Sequence, residues 1–324
     1  MEILAADQVV AFANMDLLWI ICALAGGAFA SLIGANMAFG FSGISIFIGW
    51  AILVTTGDSG FLDYVSFGPV FGPHMAFAAG TAAAAYAGKK GLIGGNGKDI
   101  NTPLITTGKM DVIWVGAIFG VIAYFIHKLI SLIPWFGTHT DVVAITVFII
   151  GIIARLCFGS TGLFAAPAKP KGTERWVEYQ EKPSQLTTLG ITFGLLAGGA
   201  AMMLLQFVNP NLTAEQYELV IANVHVVPFA FSMICIFFIA SGHSWPISHH
   251  ITAPAGLAAV QFFVATGNAF IGLIAGVVFA LIAAFIAEFL AKIFFYKGDT
   301  HIDPPAGSIW ISCTLIWICL IPFA

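Results

Sequence analysis

Leu24-Ala25-Gly26-Gly27-Ala28 recurs as Leu196-Ala197-Gly198-Gly199-Ala200, and Phe39-Gly40-Phe41-Ser42-Gly43-Ile44-Ser45-Ile46-Phe47 recurs as Phe229-Ala230-Phe231-Ser232-Met233-Ile234-Cys235-Ile236-Phe237. The echoes continue in the same order. His74 precedes Gly80 as His250 precedes Gly256, Gly116/Gly120 corresponds to Gly272/Gly276, and Thr138-His139-Thr140-Asp141 corresponds to Thr300-His301-Ile302-Asp303. Ordered matches along the whole chain mark an internal duplication, which has to be read before any fold is assigned. Each copy holds five apolar segments: 17–37, 39–55, 69–88, 110–133 and 139–158 in the first, and 186–208, 224–241, 247–266, 268–294 and 301–324 in the second. Residues 1–158 are one unit and 186–324 the other, and the Pro- and charge-rich stretch 159–185 reads as a solvated linker between them.

The composition is that of a chain dissolved in lipid. Of 324 residues, 59% are hydrophobic and 9% charged, against roughly 25% charged in a soluble domain. Runs such as Val142 to Ala154, Ala269 to Ala287 and Ile309 to Ala324 extend to the roughly 20 residues that span a bilayer as helix. Met1 to Asp16 carries Glu2, Asp7 and Asp16 and no Lys or Arg, so it lacks the positive n-region of a cleavable signal peptide. Cys22, Cys157, Cys235, Cys313 and Cys319 lie in apolar stretches without a CxxC pair or zinc spacing and read as small core residues. A net charge of −4 without basic clusters gives no surface for nucleic acid.

Five crossings per copy force the second copy to enter upside down relative to the first, the inverted-repeat plan of many transporters. The expected fold is therefore an all-α integral membrane protein of two inverted five-helix repeats, about ten transmembrane segments. The Gly/Ala-rich third segments are the candidates for broken or re-entrant ones. With both termini outside an inner (plasma) membrane, the inner loops hold Lys89, Lys90, Lys98, Lys109, Lys169, Lys171, Arg175, Lys182 and Lys297, with Arg155 and Lys292 at inner helix ends. Lys128 alone falls near the outer face, and the outer loop 209–223 carries Glu215 and Glu218. That bias follows the positive-inside rule.

Ionisable groups within a membrane are costly and usually face a cavity or one another. The duplicated ones, His74, His250, His139, Asp141, His301 and Asp303, are the candidate pathway for a solute or ion. His74 and His250, beside Pro73 and Pro254, are expected to share a cavity between the halves, with the Thr-His-x-Asp pairs toward its opposite mouths. Thr-x-x-Asp at a helix start also reads as a capping box, which accounts for Thr and Asp. It leaves the histidines unexplained, and an imidazole beside a carboxylate can carry a proton near neutral pH. His243, His249 and His250 form the densest imidazole cluster and the minority candidate for a metal, with no carboxylate near in sequence. His225 has no duplicated partner and reads as structural. Glu288, His127 and Lys128 read as snorkelling charges at helix ends, and the GxxxG-like glycines as helix-packing positions.

His301-Ile302-Asp303-Pro304-Pro305-Ala306-Gly307-Ser308 after a long apolar helix resembles the signature of the HPP family of small membrane proteins, and Phe229 to Phe237 with His250 extends the similarity over the second half. Asp303 stands where that family has histidine, and the first copy has Val142-Val143 in place of the prolines. The resemblance implies small-anion transport of the nitrite type. The expected function is a channel or secondary transporter for a small polar solute or small anion, proton-coupled through the histidines. It requires no cofactor, has membrane lipid and the solute as partners, and is compatible with a homo-oligomer. The alternatives are a membrane metalloenzyme using His243, His249 and His250, and a scaffold subunit that moves nothing.

Overall fold

The computed structural model describes residues 16–94, 96–164, 177 and 179–323. The N-terminal stretch up to Met15, and Lys169, Lys171 and Arg175 of the linker, lie outside the described residues. The first copy forms α1 (Asp16–Ile33), α2 (Ala35–Thr56), α3 (Ala76–Lys89), α4 (Met110–Ser131) and α5 (Val142–Phe158). The second forms α6 (Pro183–Leu204), α7 (Ala214–Asn223), α8 (Val226–Ile234), α9 (Ile236–Ala240), α10 (His249–Thr266), α11 (Ala269–Leu290) and α12 (Pro304–Leu320). No β-strand occurs among the described residues, only the single bridge Gly97–Thr300. Six helical stretches are long and apolar enough to cross a membrane: Ala35–Thr56, Met110–Ser131, Pro183–Phe207, Ala214–Ala240, Ala269–Phe295 and Pro304–Phe323. Leu17–Ile33 and Val142–Phe158 are apolar but shorter.

Local chemistry sets the helix ends. Gly34 alone separates α1 from α2, at φ 94°, a conformation that a side chain would strain. The expected outer loop 209–223 is largely helix. Thr213 and Gln216 cap α7 reciprocally, Thr213 N donating to Gln216 Oε1 at 2.9 Å and Gln216 N to Thr213 Oγ1 at 3.3 Å, the capping-box geometry that Thr-x-x-Gln encodes. The seventh segment is then broken at Val224–His225, because Pro228 lacks the N–H that would bond Val224 O and its ring crowds that carbonyl.

The third segments differ between the copies. In the second copy α10 is one helix with Pro254 inside it. In the first, α-helix begins only at Ala76, after a single π-helical turn at Leu62–Ser66. The preceding stretch turns back from Thr56 along α2, with Ser42 Oγ donating to Phe71 O, and α3 continues the same way until Gly80 packs on Ala35 at the start of α2. Irregular chain and helix together run the length of α2. From Ala76 to Ala85 every residue of α3 is buried, and all but Phe77 are small, which lets four helices close around it.

Within each copy the same neighbours recur. α1 packs on α3 and α4 as α6 packs on α10 and α11, and α3 packs on α5 as α10 packs on α12. The glycines make these approaches close: a Cβ on Gly26 would lie 2.6 Å from Pro69 O, and one on Gly276 would lie 3.0 Å from Ala255 O. Between the copies, equivalent helices meet each other. α2 packs on α8, and α5 on α12. Both pairs run antiparallel: Gly40 touches Phe237 while Gly43 touches Ala230 and Met233, and Thr140 reaches Thr314 while Gly151 lies against Ile302.

Candidate functional site

The two crossings enclose a cavity of about 360 Å³, within the usual range for a small-molecule site. Its walls come in equivalent pairs from the two copies: Phe39 and Phe229, Pro73 and His249, Phe77 and Ala253, Asp141 and Asp303, Ala144 and Ala306, Val147 and Ile309. The second copy also contributes His225, Leu257, Gln261, Cys313 and Trp317. Thr138 and Ala222 on its rim are exposed. At the other end Phe39, Phe77, His249 and Asp303 are each less than a tenth exposed. The cavity therefore has an open mouth where α5 begins and a closed floor where α2, α10 and α12 begin.

The two Thr-His-x-Asp motifs occupy these two ends in different states. Each aspartate caps its helix: Asp141 Oδ1 accepts from Ala144 N at 2.8 Å, and Asp303 Oδ2 from Ala306 N at 2.7 Å. The threonines do not cap. Thr138 Oγ1 donates to Trp135 O, and Thr300 Oγ1 accepts from Arg155 Nε. At the floor, His301 Nε2 and Asp303 Oδ1 are 2.9 Å apart and buried, with His301 held edge-on by Phe77 and Phe295. At the mouth, no hydrogen bond joins His139 to Asp141. His139 stacks on Trp135 at 4.7 Å, and its Nδ1 lies 2.7 Å from Trp135 O. Trp135 has φ 60°, the one positive value among the described non-glycine residues. Local strain of this kind persists only where the surrounding structure over-determines it. Asp141→Ala is expected to lower stability by about 1 kcal/mol, a cap's worth, and Asp303→Ala by about 2 kcal/mol, since it also orphans buried His301. Equal midpoint shifts in urea would contradict this difference.

Behind the floor the segment 291–303 is gripped by the first copy. Buried Arg155 donates to Thr300 O at 2.7 Å, Phe294 O at 3.0 Å and Thr300 Oγ1 at 2.5 Å. Lys98 Nζ donates to Phe295 O and Tyr296 O. Asp299 accepts from Ser160 N, Ser160 Oγ and Thr161 Oγ1. Burial raises the Asp299 pKa, but these hydrogen bonds outweigh it and hold the carboxyl below its ordinary value.

His74 and His250 do not line the cavity. His74 stacks on His127 at 4.2 Å with neither ring nitrogen hydrogen-bonded, so His127 is an inward contact rather than a snorkelling one. The neighbours Pro73 and His249 line it instead. Glu288 is buried against Tyr296 Oη and ion-pairs with Lys292 at 3.3 Å, and Lys128 lies over the Tyr124 ring. His243 is exposed, and among the described residues no three His, Cys, Asp or Glu side chains converge as a metal site. His225, unpaired in the duplication, lies in the cavity wall and packs on Gly256.

Fold and cavity together define a helical protein built twice from one unit, with helices able to cross a membrane and a solute-sized space between the copies. The chain belongs to the family of unknown function DUF7973, which matches it twice, at residues 9–166 and 165–322. One family unit is thus one copy, and the junction falls inside the linker. No curated protein and no solved structure matches the chain.

Proposed function

We propose that the chain is a secondary transporter for a small polar solute, crossing an inner membrane ten times as two inverted five-helix repeats with both termini outside. The observation that carries this reading is the cavity between the copies, lined by equivalent pairs, open at one Thr-His-x-Asp motif and closed at the other. A pore would need both ends open, whereas alternating access needs one end open at a time. The antiparallel meeting of equivalent helices supports inversion, because a two-fold axis in the membrane plane reverses a helix relative to its equivalent. The Lys/Arg bias supports the orientation. His301, paired with Asp303 at the closed floor, is the candidate carrier of a coupling proton, and His139 its counterpart at the mouth.

Cysteine labelling tests the arrangement. In sealed right-side-out vesicles a small impermeant thiol reagent is expected to reach Cys313 on the cavity wall but not a cysteine placed at Ser160, which should react only after the membrane is opened. Labelling of the Ser160 position from outside would sink the topology. His301→Gln is expected to flatten the pH dependence of uptake by proteoliposomes, since Gln keeps hydrogen bonding but cannot carry a proton. An unchanged pH profile would reject His301 as the proton carrier.

A further inference from the structure

We infer that the cavity takes a small organic ammonium ion, bound at the floor by Asp303 and a box of rings. This deepens the transporter reading and rests on it for the cavity's role. Two carboxylates, Asp141 and Asp303, face the space, and among the described residues that line it there is no lysine or arginine. Ile302, next to Asp303, lies against Gly151 of α5, ten residues or roughly 15 Å from Asp141 along the helix axis at about 1.5 Å per residue, so the acids mark floor and mouth separately. The helix starts that attract an anion elsewhere are already occupied here, since each aspartate accepts its own first-turn N–H and Pro304 and Pro305 supply none.

The floor itself points to a ligand. Phe39 lies 5.2 Å from Phe77, 6.2 Å from Phe229 and 4.9 Å from the His249 ring. His249 is 7% exposed, lines the cavity, and has no hydrogen-bond partner at Nδ1. A buried polar atom without a partner calls for one. Aromatic faces attract cations through their quadrupole, most strongly when desolvated, and a nearby carboxylate supplies the opposite charge. An ammonium N–H can donate to Asp303, while a short alkyl body fills the apolar wall of Val147, Ala253 and Leu257. A bare metal ion would require more oxygen ligands than the floor offers.

The test is calorimetric titration of the purified full chain in detergent with n-propylammonium chloride, sodium propionate, propionamide and sodium chloride. Propylammonium is expected to bind and the other three not. Asp303→Asn should weaken it at least tenfold, and Asp141→Asn and Phe39→Leu about threefold each, with thermal unfolding checking that every variant is folded. Tighter binding of propionate or propionamide, heat with sodium chloride alone, or unchanged propylammonium affinity in both Asp141→Asn and Phe39→Leu would overturn the assignment. Flux of the same probes in proteoliposomes separates the two proposals. Propylammonium binding without flux supports the cation site and sinks the transport reading, and propionate flux without propylammonium binding does the reverse.

Discussion

Arg155→Met is expected to lower the unfolding free energy by about 3 kcal/mol, the scale for removing one member of a buried charged network. The guanidinium is 1% exposed and is the common donor to Thr300 O, Thr300 Oγ1 and Phe294 O, with Asp299 3.8 Å away. Methionine fills much of the volume but leaves carbonyls in the floor without donors, each a desolvation cost of about 1–3 kcal/mol when nothing else reaches it. Lysine should recover little, because a single ammonium cannot reproduce the planar fork that reaches Thr300 and Phe294 together. Denaturation midpoints in mixed micelles measure both variants. A loss below about 0.5 kcal/mol for methionine would mean that water replaces the guanidinium and the floor is wet.

The second large effect lies at the other crossing. Gly43 and Met233 are equivalent positions of the two copies, and they face each other: a Cβ on Gly43 would sit 2.9 Å from Met233 Cβ and 2.8 Å from Ala230 O. One copy supplies the space and the other the bulk. Gly43→Met alone should force the helices apart and cost at least about 3 kcal/mol, the upper range of overpacking. Met233→Gly alone should cost about 3–5 kcal/mol through an empty cavity and a glycine in mid-helix. The exchanged pair, Gly43→Met with Met233→Gly, should recover at least half of the summed loss, since the bulk is returned from the opposite side. Strictly additive losses would reject the equivalence of the two positions.

The duplication was legible in the sequence because the copied motifs are short, ordered and rich in glycine and histidine. Of the Thr-x-x-Asp capping boxes only the aspartates cap, and as the N-cap residues themselves, because α5 and α12 begin three residues later than the box places them. The identity of the residues lining the expected cavity was not legible, because it is set by tertiary crossing. His74 and His250 point to the correct segments, yet the lining residues are Pro73 and His249. Between His249 and His250, adjacent on α10, one residue turns a side chain by about 100°, so a reading that is right about the segment can be wrong about the face. Weighting duplicated residues also hid His225 and Gln261, which belong to the wall in one copy only. A signal for His225 did exist: Pro228 three residues on announces a helix break, and broken helices are where membrane-embedded backbone lines a space. The helix α7 was hidden behind Glu215 and Glu218, whose charge suggested loop although Thr213-x-x-Gln216 marks a helix start.

The stretch from Gly57 to Lys89 has a consequence for how the chain is made. Apart from a π-helical turn at Leu62–Ser66, its helical part is the 14 residues of α3, only about 21 Å long and short of the roughly 30 Å of hydrocarbon it would face in a bilayer. The irregular part depends on α2 for the hydrogen bond at Phe71 O. On the ten-crossing reading, such a segment has little tendency to leave the translocon for lipid alone, because its unpaired backbone would enter hydrocarbon. It would wait at the channel until α4 is synthesised and then enter with α1 and α2 as one body. The order of insertion in the first copy would then differ from the order of its residues.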